Sequence, residues 1–141
     1  SPEAQALMKI KGVGPVTALA FILTIADPKR FKNGRMVGAY FGLRPKQFES
    51  GDIRKQFGIT KAGDGLVRRL LVQCAHYILG PFGEDCDLRR WGNILALRGG
   101  KNAKKRACVA VARKLAAVLF RLWVDQSEYQ PLRKEPKSSA A

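Results

Sequence analysis

The chain has 141 residues, with 26 Lys or Arg against 11 Asp or Glu, so its formal net charge is +15 at neutral pH. Its length fits one compact domain, and a hydrophobic content of 46% excludes a disordered basic tail. Such an excess of like charge destabilises a compact protein unless a polyanion neutralises it. The composition therefore predicts a folded nucleic-acid-binding domain, with a merely salt-tolerant surface as the alternative.

Membrane, zinc and disulfide classes are disfavoured. The longest apolar run, residues 16–26, is shorter than the ~20 residues that span a bilayer. The three cysteines are widely spaced without a C-x-x-C pair, and His76 is the only histidine, which argues against a structural metal site. The first residues do not resemble a secretory signal. We therefore expect a cytoplasmic protein without a membrane partner or a metal site in this chain.

Glycine and proline divide the chain into predicted helices. The first covers residues 4–9. The second, residues 15–25, begins at Pro15 and is stopped by Asp27-Pro28. Asn33 is predicted to cap a third helix, residues 35–41. Between residues 43 and 64 the frequent glycines and prolines predict an irregular or hairpin-like loop region.

Three helices are predicted after this loop. Asp64 caps a helix over residues 66–79, whose apolar positions, Leu66 included, are expected in the core. A short helix follows at 88–97, and the last runs from Asn102 for about 22 residues. The fold class is therefore mainly α, with a helix–hairpin–helix, the loop region and two longer helices. Residues 1–130 are predicted to form the domain, fraying begins after Gln126, and residues 131–141 form a disordered basic tail.

The sharpest local pattern is Lys9-Ile10-Lys11-Gly12-Val13-Gly14 followed by a helix that carries Thr17. It resembles a helix–hairpin–helix motif. Two glycines permit a tight turn and let backbone N–H groups approach a phosphate, and the helix N-terminus adds partial positive charge. The predicted nucleic-acid-binding residues here are Lys9, Lys11, Gly12, Gly14 and Thr17. An ordinary helical corner is the alternative.

Two further segments are rich in basic residues. Residues 29–69 contain 11 basic residues and three acidic ones, and residues 98–106 contain five basic residues and no acid. Basic side chains at a helix start favour a docked phosphate, because the macrodipole there is already positive. A solvated surface is the alternative. The predicted phosphate contacts are Arg44, Lys46, Arg54, Lys55, Lys61, Arg68, Arg69, Lys101, Lys104, Lys105 and Arg106.

Several short motifs follow the glycine turn in a fixed order. They are Asp27-Pro28-Lys29-Arg30-Phe31, Gly42-Leu43-Arg44-Pro45, Ser50-Gly51, Ile59-Thr60-Lys61-Ala62-Gly63-Asp64 and Arg68-Arg69-Leu70-Leu71-Val72. This ordered set resembles the carboxy-terminal domain of transposases of the insertion sequence 110 family, the RNA-guided bridge recombinases. The resemblance extends from about residue 2 to residue 131.

The resemblance implies a bacterial or archaeal DNA recombinase that cuts and rejoins strands, with Ser50 as its nucleophile. It further implies a RuvC-like N-terminal domain, absent from this chain, that carries the Mg²⁺ ligands. DNA, a structured guide RNA and other copies of the full-length protein are the implied partners. Glu49 departs from the family, whose members often have a second serine there. From the residues alone, Ser50-Gly51 indicates a plain turn, and only the resemblance makes Ser50 a candidate nucleophile.

Two other function classes fit parts of the pattern. A non-catalytic helix–hairpin–helix module of a repair or ribosome-associated protein would share the glycine turn and the charge. A base-excision glycosylase would need a catalytic aspartate after the hairpin. Asp27 is the only nearby acid, but it lies 13 positions after Gly14 and directly precedes Pro28.

Overall fold

The computed structural model describes residues 1–44 and 61–133. Within these ranges the chain forms six α-helices and one 3-10 helix and contains no β-strand, so the predicted mainly helical class is confirmed. The last helix has 23 residues, against about 22 predicted. In chain order the elements are α1 (Pro2–Leu7), α2 (Pro15–Ile25), the 3-10 helix (Pro28–Arg30), α3 (Gly34–Tyr40), α4 (Lys61–Leu79), α5 (Asp87–Leu97) and α6 (Ala103–Asp125).

The first helix begins and ends two residues earlier than predicted. The Ser1 hydroxyl accepts a hydrogen bond from the Ala4 N–H at 3.3 Å, and Pro2 occupies the first turn, where its missing N–H costs nothing. By contrast, α2 has the predicted bounds. Gly14 lies at its N-terminal boundary. The 3-10 helix that follows is capped by Asp27, whose carboxylate accepts a hydrogen bond from the Lys29 N–H at 2.9 Å.

Helix α6 is the centre of the core and packs against α1, α3, α4, α5 and the 3-10 helix. Ten of its residues are buried, among them Val111, Leu115 and Leu119, which are fully inaccessible to solvent. At its C-terminal end, Trp123 lies 6.4 Å from the ring of Phe21 on α2. Phe21 also lies 5.8 Å from Phe41, directly after α3. One helix therefore positions the remaining elements relative to one another.

Helix α3 approaches α6 closely because two glycines, one turn apart, face it. A β-carbon on Gly34 would lie 2.7 Å from the Ala117 β-carbon and 2.9 Å from its α-carbon. A β-carbon on Gly38 would lie 2.8 Å from Cγ of Arg113. The aliphatic part of Arg113 therefore lies in the space that the absent Gly38 side chain leaves open.

Replacing Gly34 by alanine is expected to lower the free energy of unfolding by about 1–3 kcal/mol, as overpacking of a tight core does. The new methyl group would overlap the Ala117 backbone, which cannot move aside as a flexible side chain can. Urea denaturation followed by circular dichroism measures the change. Arg35→Ala, at the exposed neighbouring position, is the control and should stay within about 0.5 kcal/mol of the parent. Equal stability of the two variants would contradict the close approach.

Helices α5 and α6 form an antiparallel pair. Gly92 of α5 faces Val111, and Trp91 lies under the Lys114 ammonium at 4.8 Å from the ring centroid. The connection between the two helices contains Gly99 and Gly100, both with positive φ (74° and 90°), a conformation that glycine adopts at little cost. The predicted break at this glycine pair is confirmed.

The residues after α6 fold back onto the start of α5. The Asp87 N–H donates to the Pro131 carbonyl at 2.7 Å. Burial is the main reason why the pKa of Tyr129 is raised, with a further contribution from Cys86. The prediction that the chain frays after Gln126 is therefore wrong up to residue 133, because these contacts hold the segment. The rest of the predicted tail lies outside the described residues.

Helix α4 differs from the prediction at its N-terminal end. It begins at Lys61, so Asp64 lies inside its first turn and does not cap it. Glycines at positions 63 and 65 suggested a loop, yet a helix tolerates each glycine for about 1 kcal/mol. Leu66, predicted in the core, is 44% exposed, whereas Val67 and Leu71 are buried as predicted. The loop prediction for residues 45–60 falls outside the described residues.

Helix α2 is apolar on both of its faces. Phe21 and Ile25 are buried, while Val16, Leu19 and Leu23 are exposed to 66%, 44% and 74%. None of the described helices, α2 included, is long and apolar enough to cross a membrane.

Candidate nucleic-acid interface

Two adjoining cavities form one surface depression, here called the cationic groove. The larger has a volume of about 710 Å³ and lies between the end of α3, the end of α5 and the start of α6. The smaller, about 510 Å³, lies between α3, α5 and the middle of α6. Arg44 and Arg113 line both cavities. The basic residues of the cationic groove are Arg35, Arg44, Arg98, Lys105, Arg106, Arg113 and Lys114.

The backbone after α3 determines where Arg44 lies. Gly42 is left-handed (φ 72°), and the Leu43 N–H donates to the Gly38 carbonyl at 3.0 Å. This arrangement ends a helix sharply and redirects the chain. Leu43 is then buried, and Arg44 is half-buried at the wall of the cationic groove.

Arg113 is held in place from two sides. Its Cγ lies against Gly38, and its Nη1 donates to the Leu43 carbonyl at 3.4 Å. The pKa of Arg113 is lowered, first because burial removes the guanidinium from water and second because the positive charge of Arg44 is nearby. Two arginines are thus held near each other although their charges repel.

No described carboxylate compensates this charge. Neither cavity is lined by an Asp or Glu from residues 1–44 or 61–133. Over the same ranges, Arg90 and Asp85 form an ion pair outside the groove. Buried or half-buried charges are normally paired, so the arrangement favours an external anion.

The start of α6 adds to the positive potential of the larger cavity. Asn102 precedes the helix in a left-handed conformation, and its side chain makes no capping hydrogen bond. Ala103, Lys105 and Arg106 follow in the first turn, which contains no acid. The Arg106 Nη2 donates to the Gly99 carbonyl at 3.1 Å. An uncapped helix start exposes N–H groups and a positive dipole end, which suit a phosphate.

The smaller cavity contains the half-buried Trp91, with the Lys114 ammonium over its ring. Such an aromatic surface beside guanidinium groups is typical of sites where a base or sugar lies next to the backbone. Both the phosphate and the base portions of a nucleotide therefore find chemically suitable neighbours here.

Three of the predicted contacts, Arg44, Lys105 and Arg106, lie together in the cationic groove. Lys101 and Lys104 are exposed beside them. On α4, Arg68 is half-buried, Arg69 is exposed, and Lys61 is the first residue. Lys46, Ser50, Arg54 and Lys55 lie outside the described residues.

The glycine turn does not belong to the cationic groove, since its residues line neither cavity. Gly12 has φ 108°, and a β-carbon there would lie 2.9 Å from the Tyr77 ring. Close packing against α4 therefore explains by itself why residue 12 is a glycine. Gly14 has open space in front of it, and Lys9 and Lys11 are exposed. Thr17 is only 7% exposed and accepts a hydrogen bond from the Cys74 thiol, so it belongs to the core and not to the surface.

The structure adds five residues that the sequence analysis did not select: Arg35, Trp91, Arg98, Arg113 and Lys114. One pattern pointed to Arg113. It follows Arg106 by seven residues, or two helical turns, which places both on one face of α6. Arg35 and Trp91 had no such pattern, because they join the groove only through the packing of α3 and α5 on α6.

The other candidate chemical groups of the described residues lie apart from the groove or are buried. They contain no group of three or more His, Cys, Asp or Glu side chains placed to hold a metal ion. Burial raises the pKa of the Cys74 and Cys108 thiols, which keeps them protonated at neutral pH. Asp27, the acid considered for a glycosylase, caps the 3-10 helix.

Comparisons with known proteins agree on one family. Residues 4–82 match the model of the Transposase IS116/IS110/IS902 family. The chain is 34% identical over 129 residues to the transposase for insertion sequence element IS1111A of Coxiella burnetii, which covers 91% of this chain and 35% of the relative. It is 38% identical over 118 residues to the transposase for insertion sequence element IS1328 of Yersinia enterocolitica, covering 83% and 34%.

A third relative is named for a different role. The pilin gene-inverting protein of Moraxella lacunata is 27% identical over 119 residues, covering 84% of this chain and 36% of the relative. The chain thus spans about a third of the length of these curated relatives. No solved structure gives a significant match. The ordered motifs, the helical fold and the matched family model together show that the chain belongs to the IS116/IS110/IS902 family of transposases.

Proposed function

We propose that this chain is the nucleic-acid-binding, serine-bearing part of a longer DNA transposase that cuts and rejoins strands. The observation that carries the proposal is the cationic groove, whose described lining contains seven basic side chains and no Asp or Glu. Phosphate contacts of this kind position a duplex and do not read its sequence. The groove would accordingly hold the DNA backbone, and target choice would come from another part of the assembly.

In this proposal Ser50 is the nucleophile. Its hydroxyl oxygen attacks a backbone phosphorus, one ester bond to a deoxyribose oxygen breaks, and that oxygen leaves as a hydroxyl. The resulting phosphoserine bond is then attacked by a hydroxyl of the partner strand, which rejoins the DNA and frees the serine. Such a serine needs cations that stabilise the attacked phosphate. Among the described cations, Arg44 is the nearest to Ser50 in sequence, six positions earlier in the chain.

Mg²⁺, a guide RNA and self-association are proposed for the longer protein. The described residues do not fit a magnesium site, because they offer no group of three carboxylate, His or Cys ligands. The metal ligands are therefore assigned to the two-thirds of the relatives that this chain does not match. A structured guide RNA and homo-oligomer formation follow only from the family resemblance.

A second backbone contact is proposed at the start of α2, where the sequence resembles a helix–hairpin–helix. Gly14 precedes the helix without a side-chain cap, and no atom lies within 4 Å of where its β-carbon would be. Lys9 and Lys11 are exposed on the same connection. These features support a phosphate near the backbone N–H groups of Val16 and Thr17. Gly12 contributes no such evidence, because its packing against Tyr77 already explains it.

The proposal is tested by the salt dependence of DNA binding. For the 141-residue chain and a fluorescent duplex, we expect the logarithm of the binding constant to fall with the logarithm of salt concentration with a slope of about −4 or steeper, because each neutralised phosphate contributes about −0.9. Fluorescence anisotropy at several salt concentrations gives this slope. Binding that is insensitive to salt would contradict phosphate recognition.

A pair of double variants locates the contact. Lys105→Gln with Arg106→Gln removes two charges from the groove, and the slope is expected to become shallower by about 2. Lys32→Gln with Arg121→Gln removes two exposed charges that line neither groove cavity. The two variants have the same net charge. Equal slopes for both would place the DNA outside the groove.

A further inference from the structure

Among the basic residues of the groove, Arg44 and Arg113 differ from the rest. They alone line both cavities, and both are half-buried. Arg113 is fixed by the Gly38 contact and the Leu43 carbonyl, whereas Arg44 leaves the same backbone turn one residue later. The two residues that border both cavities therefore come from different elements, Arg113 from α6 and Arg44 from the chain after α3, and the charge of Arg44 acts on Arg113.

Without a ligand, keeping these two like charges near each other lowers the stability of the folded chain. The guanidinium of Arg113 is partly withdrawn from water and faces the like charge of Arg44, with no described carboxylate in either cavity. One anion between them would remove the repulsion and satisfy donors on both side chains. Guanidinium groups bind phosphate oxygens through two parallel N–H donors, which gives geometry as well as charge.

We propose that Arg44 and Arg113 together bind one backbone phosphate of DNA at the junction of the two cavities. The proposal rests on the DNA-binding function proposed above and adds a single fixed position to it. The other groove cations, such as Lys105 and Arg106 at the start of α6, neutralise neighbouring phosphates in a more exposed setting. The phosphate held by the pair determines the register of the strand in the groove.

The first test uses inorganic phosphate and thermal unfolding of the 141-residue chain. At equal ionic strength, phosphate is expected to raise Tm above the value in sodium chloride, because a ligand that binds only the folded state stabilises it. Arg113→Met and Arg44→Met should each lose this increment. Arg121→Met, at an exposed position on the same helix, should keep it. The same increment in all three variants would overturn the proposal.

The second test measures DNA affinity. Arg113→Met is expected to weaken duplex binding about tenfold or more, as the loss of charged hydrogen bonds does, while Arg121→Met changes it less than about threefold. Arg113→Lys keeps the charge but cannot offer two parallel donors, so it should recover less than half of the lost binding free energy. Full recovery with lysine would overturn the paired-guanidinium geometry.

Folding and function remain separable in these tests. Arg113→Met should have the same helical circular dichroism and an unchanged or higher Tm without ligand, because it removes a half-buried charge. If the parent fails to bind duplex but keeps the phosphate increment, the DNA-binding proposal fails and the anion site stands. If it binds duplex with a steep salt slope while Arg44→Met and Arg121→Met weaken it equally, the site fails and DNA binding stands.

Discussion

Replacing Ser50 by alanine in the longer transposase is expected to reduce strand exchange by about a thousandfold or more, as loss of a covalent nucleophile does. The neighbouring Glu49 cannot substitute, because a carboxylate at that position repels the phosphate and would form a mixed anhydride that hydrolyses. DNA affinity should change by less than about threefold, since a serine contributes no charge to backbone binding. Recombination between donor and target DNA measures the first effect, and anisotropy measures the second.

Ser127→Ala is the matched control for this experiment. Ser127 is an exposed hydroxyl that follows α6, and its loss should leave strand exchange at the parental level. Full activity of Ser50→Ala would contradict the assignment of the nucleophile. If Ser50→Ala keeps both full activity and duplex binding, the alternative hypothesis is favoured, in which this chain is a helix–hairpin–helix module without catalytic function.

The largest effect on stability is expected for Phe21→Ala, which should lower the free energy of unfolding by about 3–5 kcal/mol. Phe21 is fully buried and lies next to both Phe41 and Trp123, so its removal leaves a cavity where α2, α3 and α6 meet. The whole domain is expected to be stable by only about 5–15 kcal/mol. Urea titration monitored by the fluorescence of the two tryptophans, Trp91 and Trp123, measures the loss.

Leu23→Ala provides the comparison on the same helix. Leu23 is 74% exposed, so its truncation should change stability by less than about 0.5 kcal/mol. The two variants truncate apolar side chains on opposite faces of α2. Similar losses for both would mean that the exposed face of α2 is covered in solution.

The bounds of the helices were predictable where a proline or glycine in the sequence starts or ends a helix. Pro15 and the Asp27-Pro28 pair bracket α2, and the Gly99-Gly100 pair separates α5 from α6. The errors occur where local propensity and packing disagree. Helix α4 continues through two glycines because its core face is anchored further along, at Val67 and Leu71. The segment after Gln126 looks polar and proline-rich, yet it stays attached to α5 by contacts distant in sequence.

The site was less predictable than the fold. Arg44, Lys105 and Arg106 were predicted because each lies in a segment rich in Lys and Arg. Arg113 and Arg44 are 69 positions apart, and only the packing of α3 on α6 brings them together. Thr17 was selected from its place after the glycine turn, but its side chain points to Cys74 in the core. Spacing along one helix predicts which residues share a face, but it does not predict which other element packs against that face.

Because α6 is central to the core, the segment that matches the family model is shorter than the segment that folds as one domain. The matched family model ends at residue 82, before α5 begins, whereas α6 supplies ten buried residues and the second arginine of the proposed phosphate site. A fragment cut at the end of the matched segment would expose the apolar faces of α1 to α4 and lack one wall of the groove. Dissection of these transposases by sequence signature alone would therefore divide the domain through its core, and an autonomous fragment has to extend at least through Asp125.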